Sequence, residues 1–197
     1  LSEVCSRAQK HYTALLKDQC QKYPPQDEGS HAAMIVETRP NDRLPVVLAN
    51  VAGVLPDWTL YLLHGDENSV YVTGLPVVER LQRTGHLRLV NLKNVTNLFQ
   101  FDPSVKDLPR YAYNCLLRTS AFWSCSRAEQ ILIFQSDSVL CSGSKYVVED
   151  FSGYDYIGAP WPDDKVGNGG LSLRRRQTML KLLKYSASIA MPEKSST

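Results

Sequence analysis

An α/β domain built on a mostly parallel central sheet is the fold class this sequence predicts, and three observations predict it. Short apolar runs recur at Ala32–Val36, Trp58–Leu63, Leu87–Leu92 and Ile131–Phe134, separated by segments of helical character. Each run is continuous rather than alternating, the pattern of a strand buried on both faces. Most are halted by a polar cluster: Glu37-Thr38-Arg39-Pro40, His64-Gly65-Asp66 and Gln135-Ser136-Asp137-Ser138. The order β-α-β-α-β-α-β calls for right-handed crossovers and helices on both faces, an α/β/α sandwich.

The elements follow in sequence order. Tyr12, Leu15, Leu16 and Gln19 mark one face of an N-terminal helix, and Tyr23–Ser30 is Pro/Gly-punctuated and reads as a linker. Pro45–Leu55 is a helix with proline in its first turn and Pro56 behind it. Pro76–Arg83 is a second core helix, closed by Gly85. Leu108, Tyr111, Ala112, Cys115, Leu116, Thr119 and Phe122 repeat at helical spacing and predict a single amphipathic helix. After residue 135 the rhythm changes: Tyr154–Ala159 and Leu171–Leu173 read as strands with short spacers, so the C-terminal part of the sheet is expected to be mixed. Arg176–Ser186 is the last helix. The expected organisation is residues 1–30 as helix and linker, 31–190 as the main domain and 191–197 as a tail.

Composition narrows the function. The chain has 197 residues, 43% hydrophobic and 21% charged, which is globular and neither fibrous nor disordered. Its 22 Lys and Arg against 20 Asp and Glu give a net charge of +2, too even for a dedicated nucleic-acid binder. No membrane span is expected, because the longest apolar region, Leu44–His64, is broken by Pro45, Asn50, Pro56 and Asp57. Cys5, Cys20, Cys115, Cys125 and Cys141 lack zinc spacing and, at an odd count, do not resemble a disulfide framework. They are expected to be buried small hydrophobes and exposed thiols, with a Cys5–Cys20 bridge only in the secretory pathway. His11, His31, His64 and His86 form no HxH or HExxH pair, no GxSxG is present, and Asn94-Val95-Thr96 is a sequon of the kind that arises by chance. The chain opens on Leu1, so a longer parent chain is expected, and the compartment stays open between cytoplasm and secretory pathway (Golgi).

In a parallel sheet, ligands lie outside the carboxyl ends of the strands. Asp137 sits there at the rim of a buried strand, where a carboxylate suits Mg²⁺ or Mn²⁺ bridging a diphosphate. The bland alternative is a turn aspartate bonded to its own backbone. Gly167-Asn168-Gly169-Gly170 allows close backbone approach, but Ser172 breaks the dinucleotide fingerprint and the spacing is not a P-loop. Trp161, held between Pro160 and Pro162, offers a stacking face or a lid over the core. One of Arg174, Arg175 and Arg176 could meet a phosphate, the other two forming a solvated face.

Taken in order, several segments resemble a glycosyltransferase-like family of unknown detailed function whose members look like GT-A nucleotide-sugar-dependent transferases. They are Val36–Pro40, Leu132–Cys141, Val148–Phe151 with Tyr154–Trp161, and Gly167–Arg174, and the likeness spans about residues 32–185. The resemblance implies a GT-A, Rossmann-like fold, a nucleoside-diphosphate sugar donor, an acceptor it does not name, and a divalent metal, Mn²⁺ or Mg²⁺. It places Glu37, Thr38 and Arg39 near the base or ribose and makes Asp137 the metal-binding last acid of a DxD motif. Asn168, Gly169 and Gly170 would face the sugar or acceptor. Asp66, at the end of the second strand, joins Gln135 and Ser136 as nucleotide-binding candidates. Two departures stand out. The DxD slot reads Gln135-Ser136-Asp137, which loses one charge, and the C-terminal catalytic acid is Glu193, lost by truncation, or absent. The leading expectation is therefore a metal-dependent sugar transferase. The alternative is a truncated or non-catalytic relative that binds nucleotide, glycan or a protein partner. A dinucleotide oxidoreductase is disfavoured by the missing glycine fingerprint.

Overall fold

The computed structural model describes residues 2–22, 29–93, 110–159 and 167–189. Among them the chain runs α1 (Ser2–Lys22), β1 (His31–Val36), α2 (Leu44–Val54), β2 (Thr59–His64), α3 (Ser69–Thr73), α4 (Pro76–Arg83), β3 (Leu87–Asn91), α5 (Arg110–Leu117), α6 (Ser120–Trp123), β4 (Gln130–Ile133), β5 (Tyr156–Ala159), β6 (Asn168–Arg175) and α7 (Arg176–Ile189). Short 3-10 turns cover Asp66–Asn68 and Val148–Phe151.

The strands form one six-stranded sheet in the order β3-β2-β1-β4-β6-β5. β1 pairs in parallel with β2 and β4, and β2 with β3, so Ala33 lies between Leu60 and Leu132. β6 runs against both β4 and β5, with Leu173 between Leu132 and Ile157. A parallel β5–β6 pair would need a crossover of about a dozen residues or more, which the short connection does not provide. The sheet is thus mostly parallel with a mixed C-terminal end, as its sequence predicts.

Two apolar layers cover it. Ala8, Tyr12 and Leu16 of α1 join Ala112, Leu116, Phe122 and Trp123 of α5 and α6 over Met34, Ile131 and Ile133. On the other face Val47, Leu48, Val51, Val78 and Leu81 pack over Ile35, Leu60, Leu62 and Leu132. β1 supplies both layers because successive side chains alternate, which is why it reads as an unbroken apolar run. The N-terminal helix is part of this core, and Gln19 completes the rim of β3: its side-chain carbonyl accepts from Asn91 N at 2.7 Å, and its amide donates to Asn91 O.

Two expectations need correction. The helix anticipated from Leu108 to Phe122 is broken. Thr119 has extended backbone angles, its Oγ1 accepts from Phe122 N at 3.2 Å, and it starts α6 as an N-cap; its own preference for a cap outweighs continued apolar spacing. The cysteines are not plain core residues, and Cys5 does not bridge Cys20. Cys5 pairs with Cys115 and Cys20 with Cys125, over Cα–Cα distances of 5.5 and 4.9 Å, leaving Cys141 exposed and free. Among the described residues, no helix is long and apolar enough to cross a membrane.

Candidate functional site

β1 and β4 are neighbours in the sheet, yet their chains leave it in opposite directions: β1 connects outward to β2, and β4 leads on past β6 to β5 at the far edge. Such a switch in strand order opens a crevice outside the carboxyl ends, where ligands bind in open α/β sheets. Here that crevice is a cleft of about 650 Å³ between Val36–Arg43 and Gln135–Asp137. Its volume falls within the roughly 300–1,000 Å³ of small-molecule sites.

The β1 side is held by polar bonds. Glu37 extends the parallel ladder by donating its N–H to Leu63 O at 3.0 Å. Its carboxylate is buried, with only 5% of the residue exposed. That carboxylate accepts from Arg39 N and Arg39 Nε at 3.1 Å each, and from Asn41 Nδ2 at 2.7 Å. Asn41 Nδ2 also reaches Ser136 Oγ at 2.8 Å, which ties the two walls of the cleft together. Asn41 Oδ1 accepts from Arg43 N at 3.0 Å, a side-chain turn that feeds the chain into α2. Behind this loop, buried Asn68 donates to Glu37 O at 2.9 Å and Arg39 O at 3.0 Å, while its Oδ1 accepts from Gly65 N at 3.0 Å. The β2 exit therefore buttresses the β1 exit. Tyr71 closes the corner by donating its hydroxyl to Asn41 O at 2.8 Å. Burial chiefly raises that hydroxyl's pKa, with Asp42 and Glu37 adding to the effect.

The β4 side is a tight turn. Ser138 N donates to Gln135 O at 2.9 Å and Gln135 N to Ser138 Oγ at 3.1 Å. Asn50 of α2 hooks the segment that follows, with Asn50 Nδ2 to Leu140 O at 2.9 Å and Leu140 N to Asn50 Oδ1 at 2.8 Å. Asp137 projects from this anchored turn into solvent. Among the described residues, no hydrogen bond or ion pair occupies its carboxylate, nor those of the Asp42 carboxylate and the Arg43 guanidinium. The turn is bonded through Ser138 and not through the aspartate side chain.

A second recess of about 390 Å³ lies on the α2 side, faced by Val46, Val47 and Val139, and shares Asp42, Arg43, Ser136 and Asp137 with the first. On the opposite flank, β6 brings Gly170 beside Gln135; a Cβ built on Gly170 would lie 2.5 Å from Gln135 Oε1. Asn168 Oδ1 accepts from Gly170 N at 2.7 Å and holds this strand start in place.

The structure thus gathers Glu37, Arg39, Gln135, Ser136 and Asp137 on one cleft, with Gly170 at its side. Thr38 is buried within the β1 turn. Asp66 is further out, at the end of β2, where its Oδ1 accepts from Asn91 Nδ2 at 2.7 Å. Trp161 and Glu193 lie outside the described residues. Asn41, Asp42, Arg43 and Asn68 were not among the sequence-derived candidates. Asn41-Asp42 ahead of a helix is a recognisable turn signature, whereas nothing in the order of residues places Asn68 beside Glu37.

The oxygen set of Asp137 and Asp42 is the hard type that Mg²⁺ and Mn²⁺ prefer. Among the described residues, no three His, Cys, Asp or Glu converge as a cage. That is compatible with Mg²⁺, which is commonly held by one or two carboxylates plus substrate phosphates.

Fold and site together define an α/β sandwich with a polar cleft at the switch point of its sheet. Residues 99–196 match a family described as "Protein of unknown function (DUF5672)". That region contains β4, β5 and β6, and so one wall of the cleft. No curated protein matches the chain. Among solved structures the chain is similar to one titled "PaToxG Glycosyltransferase", at 14% identity and a TM-score of 0.39, covering 98% of this chain and 72% of that one.

Proposed function

We propose that this domain binds a nucleoside-diphosphate sugar in the β1/β4 cleft and transfers the sugar to an acceptor hydroxyl. The observation that carries this reading is the contrast within the cleft between committed and uncommitted groups. Glu37, Asn41 and Ser136 are bonded into its walls, while Asp42, Arg43 and Asp137 face it with their charges unspent. A rigid polar frame with two carboxylates and a guanidinium suits a ligand that brings both a diphosphate and a cation. The GT-A resemblance of the flanking motifs points the same way.

In this reading Asp137, assisted by Asp42, would hold the Mn²⁺ or Mg²⁺, which when bound would supply charge neutralisation for the departing diphosphate. Arg43 meets a phosphate oxygen. Glu37 keeps Arg39 and Asn41 in position for the ribose or base. Transfer breaks the bond from the sugar's anomeric carbon to the diphosphate and forms one to the acceptor oxygen. The acceptor's proton passes to a carboxylate base, for which Glu193 is the candidate. Asn168, Gly169 and Gly170 flank the sugar side, with Trp161 as a stacking face.

The second reading, a nucleotide- or glycan-binding relative without transfer, draws on Gln135. An amide stands at the first acid of the metal motif, and its side chain is against the Gly170 backbone. Calorimetry with UDP and GDP, each with and without Mn²⁺, is the test. Metal-dependent binding that disappears in Asp137→Ala is expected. Equal affinity in that variant removes the metal assignment. Binding without any donor hydrolysis or transfer favours the second reading.

The compartment belongs to the same proposal. Paired cysteines persist in oxidising environments and are rare in the cytosol, and the Cys5–Cys115 and Cys20–Cys125 bridges support a working protein in the secretory pathway or outside the cell. Free thiols at these four positions in protein isolated from its native source, alkylated before lysis, would count against it.

A further inference from the structure

The three consecutive arginines have different surroundings. Arg175 forms salt bridges to Glu129 at 2.9 Å and Asp155 at 3.0 Å. Arg176 donates from Nε to Trp123 O at 2.9 Å, at the amino edge of the sheet and far from the cleft. Arg174 folds back along its own strand toward the cleft. Its Nε donates to Ser172 Oγ at 3.0 Å and its Nη2 to Gly169 O at 3.2 Å.

The guanidinium of Arg174 lies among aromatic rings, with its central carbon 5.2 Å from the Tyr156 ring and 5.7 Å from the Trp123 ring. Tyr113 faces it from α5: burial pushes that hydroxyl's pKa up to about 12, against a downward pull from Arg174. Burial likewise disfavours the charge on Arg174 itself. Yet a guanidinium stays protonated in proteins and offers five N–H donors, of which Ser172 and Gly169 use two. Among the described residues, no carboxylate pairs with it. A cation withdrawn from water without an anion is costly, and ring faces offset only part of that cost. Gly169 completes the arrangement, since a Cβ there would stand 2.9 Å from Arg174 Nη2. The glycine leaves space for the guanidinium, and the next residue, Gly170, abuts Gln135 of the cleft.

We infer that Arg174 is an anion receptor on the β6 flank of the cleft, taking a phosphoryl group of the nucleotide through its unused N–H donors. The aromatic rings hold the planar fork flat, which favours the two-point contact that arginine makes with phosphate. The identity of the ligand rests on the proposed function; the receptor itself does not.

The test compares inorganic pyrophosphate, UDP and uridine on the wild-type protein and on Arg174→Gln, Arg174→Lys and Arg175→Gln, by calorimetry. Loss of a charge-assisted contact should weaken pyrophosphate and UDP about 10- to 100-fold in Arg174→Gln. Arg174→Lys should recover part of it and Arg175→Gln should bind as wild type. A purely structural Arg174 would shift the melting temperature and leave these affinities alone. In case Arg174→Gln does not fold, phenylglyoxal labelling of the wild-type protein with mass-spectrometric mapping reads the same contact. Pyrophosphate should protect Arg174 and not Arg175. Undiminished pyrophosphate and UDP binding in Arg174→Gln, or labelling of Arg174 unaffected by either, overturns the inference even if Asp137-dependent UDP binding stands. Arg174-dependent pyrophosphate binding with no gain from uridine or Mn²⁺ keeps the receptor and sinks the nucleotide-sugar reading instead.

Discussion

On one face of the sheet, α1 lies against α5 and α6 through Ala8, Tyr12 and Leu16, and two disulfides join it to segments 110 and 105 residues away in sequence. At the carboxyl edge, the β1/β4 cleft has no such covalent fastening among the described residues. A lattice of side-chain bonds through Glu37, Asn41, Asn68 and Ser136 holds its walls. The difference separates two jobs. Apolar burial and cross-links give rigidity without specific polar chemistry, whereas the cleft is both polar and fixed: its bonds saturate Glu37, Asn41 and Ser136 and leave Asp42, Arg43 and Asp137, the groups that would meet a charged ligand in the proposed function.

Reducing the disulfides should have the largest effect on stability. Loop entropy for closures of this length is roughly 4–5 kcal/mol per bridge. Urea unfolding of a Cys5→Ser/Cys20→Ser variant should show the midpoint falling far more than in any cleft variant; a change under about 1 kcal/mol would erase the contrast between face and edge. Next comes Asn68→Ala. It strands Glu37 O, Arg39 O and Gly65 N, at about 2–3 kcal/mol. Nucleotide affinity should fall with it, because the β1 exit loses its support.

A smaller effect involves His64, at the buried end of β2. Its Nδ1 donates to Gly65 O at 3.0 Å in the neutral form, and burial is the main cause lowering its pKa below 6.5. The unfolded chain therefore takes up a proton before the folded one does. The contribution is complete above about pH 6.5 and is lost as the pH falls toward the folded value. Melting curves between about pH 5 and 8 should show this slope in the wild type and a flatter one in His64→Gln. Asp137→Ala is expected to change stability least, within about 0.5 kcal/mol, because the side chain is exposed and uncommitted. It should nevertheless abolish metal-dependent nucleotide binding. Large destabilisation in that variant would mean that Asp137 belongs to the frame and not to the site.

Much of this arrangement is legible along the chain. Each predicted strand is found within a residue or two, except that β6 extends well beyond Leu171–Leu173, because burial on both faces leaves a continuous apolar signature. The polar clusters behind β1 and β4 line one and the same cleft. Their internal division of labour was not legible. Glu37 and Asp137 are both acids just beyond a strand, but one accepts bonds from Arg39 and Asn41 and the other has no such bonds among the described residues. Residue type does not distinguish them, since the deciding neighbours come from α2 and from the other wall. The break at Thr119 shows the converse, a local cap signal overruled in the reading by apolar spacing.

By itself, the sequence determined the α/β alternation, the parallel core strands, the mixed character of the sheet near the C-terminus and the edge of the sheet that carries the polar clusters. These depend on local pattern: which residues can be buried, at what period, and where glycine and proline interrupt them. Only the tertiary structure decided the partners of the cysteines, the bracing of Glu37 by Asn41 and of its loop by Asn68, the approach of Gly170 to Gln135, and the different surroundings of three adjacent arginines. Each of these joins residues distant in sequence or depends on the direction in which one side chain folds. The physical reason is that pairing free energy depends on proximity and desolvation, and both exist only once the sheet has brought its strands together.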